Sequence, residues 1–386
     1  MIKKDLLAGF IVIIFSTFFY ISLQIILFHF GIITGLFVPD AISLKRSLLI
    51  YDVMQLGFGS LDQIFNQVFS FYSLFILYYF TTSEYGFIID LLVNLILTTL
   101  TWHNMLIFIK LGCTNRKNIL SYSIIFWFLN PYYLSLMMFP NKEILLFFLT
   151  TLFARLVIEK KYIFAFIILP IVYVTRDGHA IALLCSLIAY FGMKSMRING
   201  IFIIVMAILL IALISSVDKS HLGGAFERNA SVASEHYSSG SNVSNNKVLM
   251  VFVNWLNLAF RPQFLSNEGF YLINIGLWLS GITVFLSLPI CFYNIITHNK
   301  KYLFGSLLVF SIFIALIVSS YSQQRYFLVF LPFLIILLTK IKPSLVYFIL
   351  LCTIILNPFL YYAGILPPLQ EGISINELRA VRYIEF

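Results

Sequence analysis

Charge is what this sequence has least of. Asp, Glu, Lys and Arg make up 11% of its 386 residues, against about 25% in an ordinary soluble domain. The length would accommodate two or three soluble domains, but no stretch is polar enough to clothe even one. With 61% hydrophobic residues, the chain reads as a polytopic, all-α integral membrane protein forming a single unit over 1–386.

Further absences narrow the function. No Gly-rich P-loop or G-x-G-x-x-G opens a helix, which argues against nucleotide-driven transport. No Asp-x-Asp pair sits in a soluble cytoplasmic region, which argues against a nucleotide-sugar donor. No His-Glu-x-x-His is present, and no cofactor or metal is expected. The net charge is +9, yet the cations form no stripe interleaved with aromatics and no Cys/His zinc spacing appears, so nucleic acid is not a partner. The cysteines, Cys113, Cys185, Cys291 and Cys352, fall on the cytoplasmic side or inside the bilayer by the topology below. No structural disulfide is expected from them.

What is present is hydrophobic runs. A helical crossing takes about 20 apolar residues, fewer inside a bundle. Candidates lie at 6–29, 87–109, 118–139, 142–158, 161–175, 179–193, 198–216, 269–296, 302–320, 326–340 and 343–363, about eleven spans in all. The first follows Met-Ile-Lys-Lys-Asp and runs too long, without a small-x-small site, to be a cleaved signal peptide. The run "VFSFYSLFILYYF" at 68–80 breaks the alternation if it crosses. It reads as a re-entrant or interfacial helix, with a true crossing as the alternative.

The junctions alternate in charge. Lys3 and Lys4, then Lys110, Arg116 and Lys117, Lys160 and Lys161, Lys194 and Arg197, Lys300 and Lys301, and Lys340 and Lys342 all fall on one side, with Arg155 a turn inside. Basic loops mark the cytoplasmic face, which places the N-terminus inside and the C-terminus outside. The other face holds two long segments. The first, 31–67, mixes amphipathic stretches with Asp40, Asp52 and Asp62. The second, 217–268, begins Ser-, Gly- and Asn-rich, a flexible composition. It then turns apolar over 247–267, where Val251, Trp255, Leu256 and Phe260 have near-helical spacing. That part reads as an amphipathic helix on the outer surface.

The outer junctions carry ionisable residues against the orientation rule. Lys142 and Glu143 stand in "FPNKEILL", Arg176, Asp177 and His179 in "VTRDGHA", Arg261 and Glu268 in "LAFRPQFLSNEGF", and Arg325 with Tyr326 in "SYSQQRYFL". Charges kept at a membrane interface point to function. Three bland readings stand beside that one: Arg176 with Asp177, and Lys142 with Glu143, as local ion pairs at helix ends, and the Gln-Gln-Arg turn at 323–325 as a solvated loop. Asp90, Asn94 and His103 read as buried contacts between helices rather than ligands. Several cations at headgroup depth suit a phosphate or diphosphate, since Arg offers forked, bidentate donors to phosphoryl oxygens.

Four pieces carry a family resemblance: "VPDAIS" after the first helix, "PNKEILLFFL", "FRPQFLSNEGF", and "QQRYFLVFLPFLIILL". Together with the topology and the Phe-, Ile- and Tyr-rich composition, the chain resembles bacterial O-antigen polymerases of the Wzy type, and more broadly the GT-C superfamily of multi-spanning glycosyltransferases. The last piece departs from the pattern, with Gln where an acid often stands. The resemblance implies a GT-C-like fold in the bacterial inner membrane, with its active face in the periplasm. It implies transfer between glycan repeats linked to undecaprenyl diphosphate, as donor and acceptor, and a chain-length regulator protein as a partner. Lys142, Arg176, Arg261 and Arg325 are then the diphosphate ligands, with Tyr326 and Glu268 beside them. Asp40, Glu143, Asp177 and His179 are the candidates for the base. An O-antigen ligase or another lipid-linked-sugar transferase fits nearly as well. A flippase fits less, because it predicts charges in mid-helix and a repeat between the chain halves.

Reporter fusions after Lys117, Lys161, Lys194 and Lys301 should read as cytoplasmic, and fusions at Gly240 and after Gln370 as external. A cytoplasmic signal at Gly240 would place the whole cluster in the wrong compartment.

Overall fold

The computed structural model describes residues 2–30, 86–110, 116–137, 142–216, 271–318 and 328–362. Among them every element is helical and none is a strand. We number the helices α1 (Ile2–His29), α2 (Gly86–Lys110), α3 (Arg116–Ser123), α4 (Pro131–Met137), α5 (Lys142–Ile158), α6 (Tyr162–Thr175), α7 (Asp177–Ser195), α8 (Gly200–Ser216), α9 (Tyr271–Ile296), α10 (Leu303–Val318), α11 (Leu331–Leu338) and α12 (Pro343–Tyr362). The eleven candidate spans all fall on these helices, two of them, 118–139 and 326–340, on broken ones. The segments 31–67, 68–80 and 217–268 lie outside the described residues.

Helices form here because an apolar environment leaves backbone N–H and C=O groups no other partners than each other. Three of the described helices are long and apolar enough to cross a membrane: Lys4–Leu27, Gly178–Ser195 and Trp278–Ile296. The other helices hold shorter apolar stretches. One of them explains itself: every residue of α11, Leu331–Leu338, is buried, so its surroundings are protein on all sides. The outward faces of α1, α6 and α12 are apolar instead. Phe15, Phe18, Phe19, Ile163, Phe164, Phe348 and Ile355 are all exposed. A surface of this kind is compatible with a membrane-embedded chain, for which lipid is the solvent.

One run is not the straight segment that its hydropathy describes. Over 118–139 the helix passes from α3 into a π-helical turn at Ile124–Phe128, stops, and restarts as α4 with a bend of 68°. Asn130 is the joint. Its side-chain amide donates to the carbonyl of Phe126 at 3.2 Å, to the carbonyl of Gly276 at 3.0 Å and to Ser280 Oγ at 3.1 Å. Its Oδ1 accepts from the backbone N–H groups of Tyr132 at 3.0 Å and Tyr133 at 3.3 Å. Pro131 follows at the first helical position, where its missing N–H costs nothing. Gly276 on α9 lies directly against Tyr132 and Asn130, where a Cβ would collide with both.

Contacts sort the helices end for end. At one end the Trp102 indole donates to the carbonyl of Asp5 at 3.1 Å, and Arg155 donates to Asn104 Oδ1 at 3.1 Å. Glu159 accepts from Arg155 at 2.9 Å and from Lys161 at 2.7 Å. Those two cations, Lys161 first, hold the Glu159 carboxyl below its usual range. Tyr190 meets Phe304 with ring centroids 5.2 Å apart, the Gly200 N–H donates to His298 Nε2 at 3.2 Å, and Lys340 stands 4.2 Å over the Tyr302 ring. The basic junctions that the structure describes thus share one end. Two of its turns close alike. Lys160 (φ 62°) and His298 (φ 49°) sit in the left-handed region. The next N–H reaches back five positions, from Lys161 to Leu156 O at 2.8 Å and from Asn299 to Asn294 O at 3.0 Å, as in a Schellman cap.

At the opposite end Asn94 donates to the carbonyl of Met137 at 3.1 Å. It is a buried interhelical contact, in keeping with its sequence reading.

Gly276→Ala should lower the thermal midpoint in detergent by the equivalent of about 2–4 kcal/mol, the cost of overpacking plus a disturbed buried hydrogen-bond joint. Gly178→Ala is the control. A Cβ there meets nothing within 4 Å, and the midpoint should hold or rise slightly.

Candidate functional site

Arg176 is the single residue between α6 and α7. Its backbone is extended, at φ −164° and ψ 105°. Its N–H closes α6 on the carbonyl of Val172 at 2.7 Å, and its carbonyl opens α7 by accepting from His179 at 3.1 Å and Ala180 at 3.2 Å. Both backbone groups are committed, so the base of the side chain is held by two helices at once. A hairpin this tight also sets the start of α7 beside the end of α6.

The guanidinium reaches a third helix. Arg176 Nη2 lies 3.4 Å from Glu143 Oε1, and the two side chains are 14% and 5% exposed. Glu143 stands in the first turn of α5, where the helix macrodipole favours a carboxylate. His179, in the first turn of α7, is 2% exposed. Its ring stacks on Phe330, with centroids 5.4 Å apart and planes 25° from parallel. Phe330 ends the 3-10 turn Leu328–Phe330 that leads into α11. The starts of α5, α7 and α11 therefore meet at this end of the bundle, opposite the basic junctions.

The sequence named more residues than the structure brings together. Glu143, Arg176 and His179 share one site. Lys142 opens α5 and Asp177 opens α7, which places both at the same end. Asp40, Arg261, Glu268, Arg325 and Tyr326 lie outside the described residues. The described ion pair of Arg176 is with Glu143, 33 positions away. Sequence reasoning weighed only the neighbours, Arg176 with Asp177 and Lys142 with Glu143. Phe330 was missed altogether, and nothing in "FLVFLPF" distinguishes it from the apolar residues around it. Among the described residues no group of three or more His, Cys, Asp or Glu is placed to hold a metal ion. Cys185, Cys291 and Cys352 are free thiols.

Chemically, the arrangement offers a guanidinium anchored through its backbone and steered by a carboxylate, at a point beside the N-termini of α5 and α7. Such a point attracts anions, because helix N-termini carry partial positive charge and unpaired N–H groups. Comparison with protein-family models, with curated proteins and with solved structures finds no match.

The pairing has a thermodynamic signature. Glu143→Ala and Arg176→Ala should each lower stability in detergent, and the double variant should lose less than the two together. A coupling of about 1–3 kcal/mol is expected for contacting charges at this burial. Additive losses in thermal unfolding would mean that the two groups do not interact.

Proposed function

We propose that the chain is a glycosyltransferase of the polymerase type. It transfers a glycan from polyprenyl diphosphate to the hydroxyl of another lipid-linked repeat unit at the outer face of the bacterial inner membrane. The observation that carries the reading is the Arg176–Glu143 pair at 3.4 Å, set where two helix N-termini meet and at the end remote from the basic junctions. The orientation follows from that separation, because basic ends stay in the cytoplasm. The number of spans, about eleven with short ones buried in the bundle, and the GT-C-like fold belong to the same proposal.

In this mechanism Arg176, with Lys142, Arg261 and Arg325, binds the donor diphosphate. As the glycosidic bond to the diphosphate breaks, its electron pair passes to the phosphate oxygen. Preorganised cations stabilise that charge in a site of low dielectric. The acceptor oxygen bonds to the anomeric carbon, and its proton goes to a base. Glu143 is engaged with Arg176, so its role is to orient the cation. The base role falls to Asp177, the first residue of α7, with Asp40 as the alternative drawn from the GT-C resemblance. His179, stacked and buried, holds the start of α7 against the turn at Phe330. A positioned base contributes about 10²–10⁴-fold.

Arg176→Ala, Arg261→Ala and Arg325→Ala should each abolish long-chain glycan while protein abundance holds. A loss of about 10²-fold or more is expected from removing one charge-stabilising group. Lys at these positions should rescue poorly, because a point charge does not reproduce the guanidinium fork. Glycan ladders from a deletion strain carrying each variant read the result. Single repeats on the lipid core identify a polymerase defect, whereas bare core identifies a ligase defect. Wild-type ladders from all three Ala variants would end the diphosphate assignment.

A further inference from the structure

We infer that Glu143 and the donor diphosphate compete for the same guanidinium, so that donor binding at Arg176 is an exchange of one anion for another. The inference rests on the reading of Arg176 as a diphosphate ligand and adds a second role to Glu143. Beyond orienting the cation, it is an internal competitor that sets how tightly the lipid diphosphate is held and how readily it leaves.

Three observations carry this. First, the pair is close enough to persist but poorly made. Its one described contact is 3.4 Å, from Nη2 to a single carboxylate oxygen. A well-formed charge-assisted bond is about 2.7–2.9 Å, and Arg–carboxylate pairs are frequently bidentate. A diphosphate, with more charge and more acceptor oxygens, makes the better partner. Second, both groups are largely removed from solvent, at 14% and 5% exposure. A carboxylate buried to this degree is costly without a partner, so Glu143 returns to Arg176 whenever the diphosphate departs. Third, Glu143 has somewhere to stand while displaced. It lies in the first turn of α5, whose macrodipole stabilises a carboxylate. Displacement is therefore affordable, and the exchange can run in both directions.

The consequence concerns turnover. A transferase that leaves its product as a lipid diphosphate risks holding that product on its own cations. An anion built into the site shortens the residence of the product. It weakens apparent affinity by the fraction of time in which Arg176 is engaged with it. Glu143 is on this account a positioning residue, and removing its charge should strengthen binding, an outcome that a merely structural role does not produce.

The test uses the full chain in nanodiscs of phosphatidylethanolamine and phosphatidylglycerol, with undecaprenyl diphosphate as the probe. Glu143→Gln keeps the shape and removes the charge. It should bind the probe more tightly, by about tenfold if the pair is formed some nine-tenths of the time, and release it more slowly. Multiple-turnover transfer should fall, while a single turnover is better preserved. Arg176→Ala should lose binding in both backgrounds. Should Glu143→Gln fail to fold, Glu143→Asp carries the same test, because a carboxylate one methylene shorter is drawn back from a contact already 3.4 Å long, and a smaller gain is expected. Unchanged or weaker binding in a folded Glu143 variant, with wild-type binding still dependent on Arg176, overturns the competitor role and leaves the transferase reading standing. No binding of the probe by any variant overturns both.

Discussion

Asn130 is the contact on which the inner architecture turns. An apolar bundle tolerates a broken helix only where the freed backbone groups find partners, and at Leu129–Asn130 a single amide supplies them. Its oxygen takes the N–H groups of Tyr132 and Tyr133, and its nitrogen serves the carbonyls of Phe126 and Gly276. No other side chain type has two donors and an acceptor on so short a stem. A hydroxyl would leave carbonyls unserved, and a carboxylate would face them with like polarity. Because one of those bonds crosses to α9, the joint both ends a helix and fastens it to its neighbour. α9 in turn packs against α10 and α11, so the break is tied through one residue into the half of the bundle that carries Phe330.

The same economy of partners accounts for the two ends. The ion pairs described in this chain are either at the basic end or in the Arg176 site. At the basic end they are loosely held. Lys161 is 55% exposed in its pair with Glu159, and such pairs contribute little to stability. In the proposed topology their use is orientation. At the other end Arg176 and Glu143 are nearly enclosed, where the desolvation penalty can exceed the attraction. A buried pair is therefore weak support for a stabilising purpose and stronger support for a functional one.

Much of the framework was legible without coordinates, because hydropathy alone reports it. The apolar runs that the structure describes are helical, and the basic junctions that it describes did gather at one end. Two features were harder to read. The break at Asn130 was written as Asn-Pro, a boundary signal, but it stood inside a run apolar enough to mask it. The partner of Arg176 was out of reach for a different reason. Local spacing pairs neighbours, whereas Glu143 is brought in from another helix by the tight hairpin at Arg176 and by the packing of α5 against α6. Hydropathy ranks residues by solvent preference and carries nothing about which helices are adjacent. His179 was legible as an ionisable group in an apolar setting, yet its stacking on Phe330 depends on a contact between segments some 150 residues apart in sequence.

Asn130 and Arg176 solve the same backbone problem in opposite ways. Each stands at a helix break, and each is the residue before a new helix begins. Asn130 spends its side chain on the backbone. Arg176 makes no side-chain cap and has none to make, because a guanidinium only donates and the exposed groups at a helix start are donors too. Asn, Asp or Ser at that position would stabilise α7 by about 1 kcal/mol. The chain forgoes that and instead holds a cation where the N-terminal dipole of α7 already repels it. Glu143, brought in on α5, offsets the repulsion. Places where a local rule is broken and a distant residue compensates are those at which function outweighs stability. That logic selects Arg176, since Arg155 and Lys160 lie at or just past the C-terminal end of α5, where the dipole favours them, and Lys161, likewise an uncapped residue before a helix, is 55% exposed, where solvent screens the repulsion.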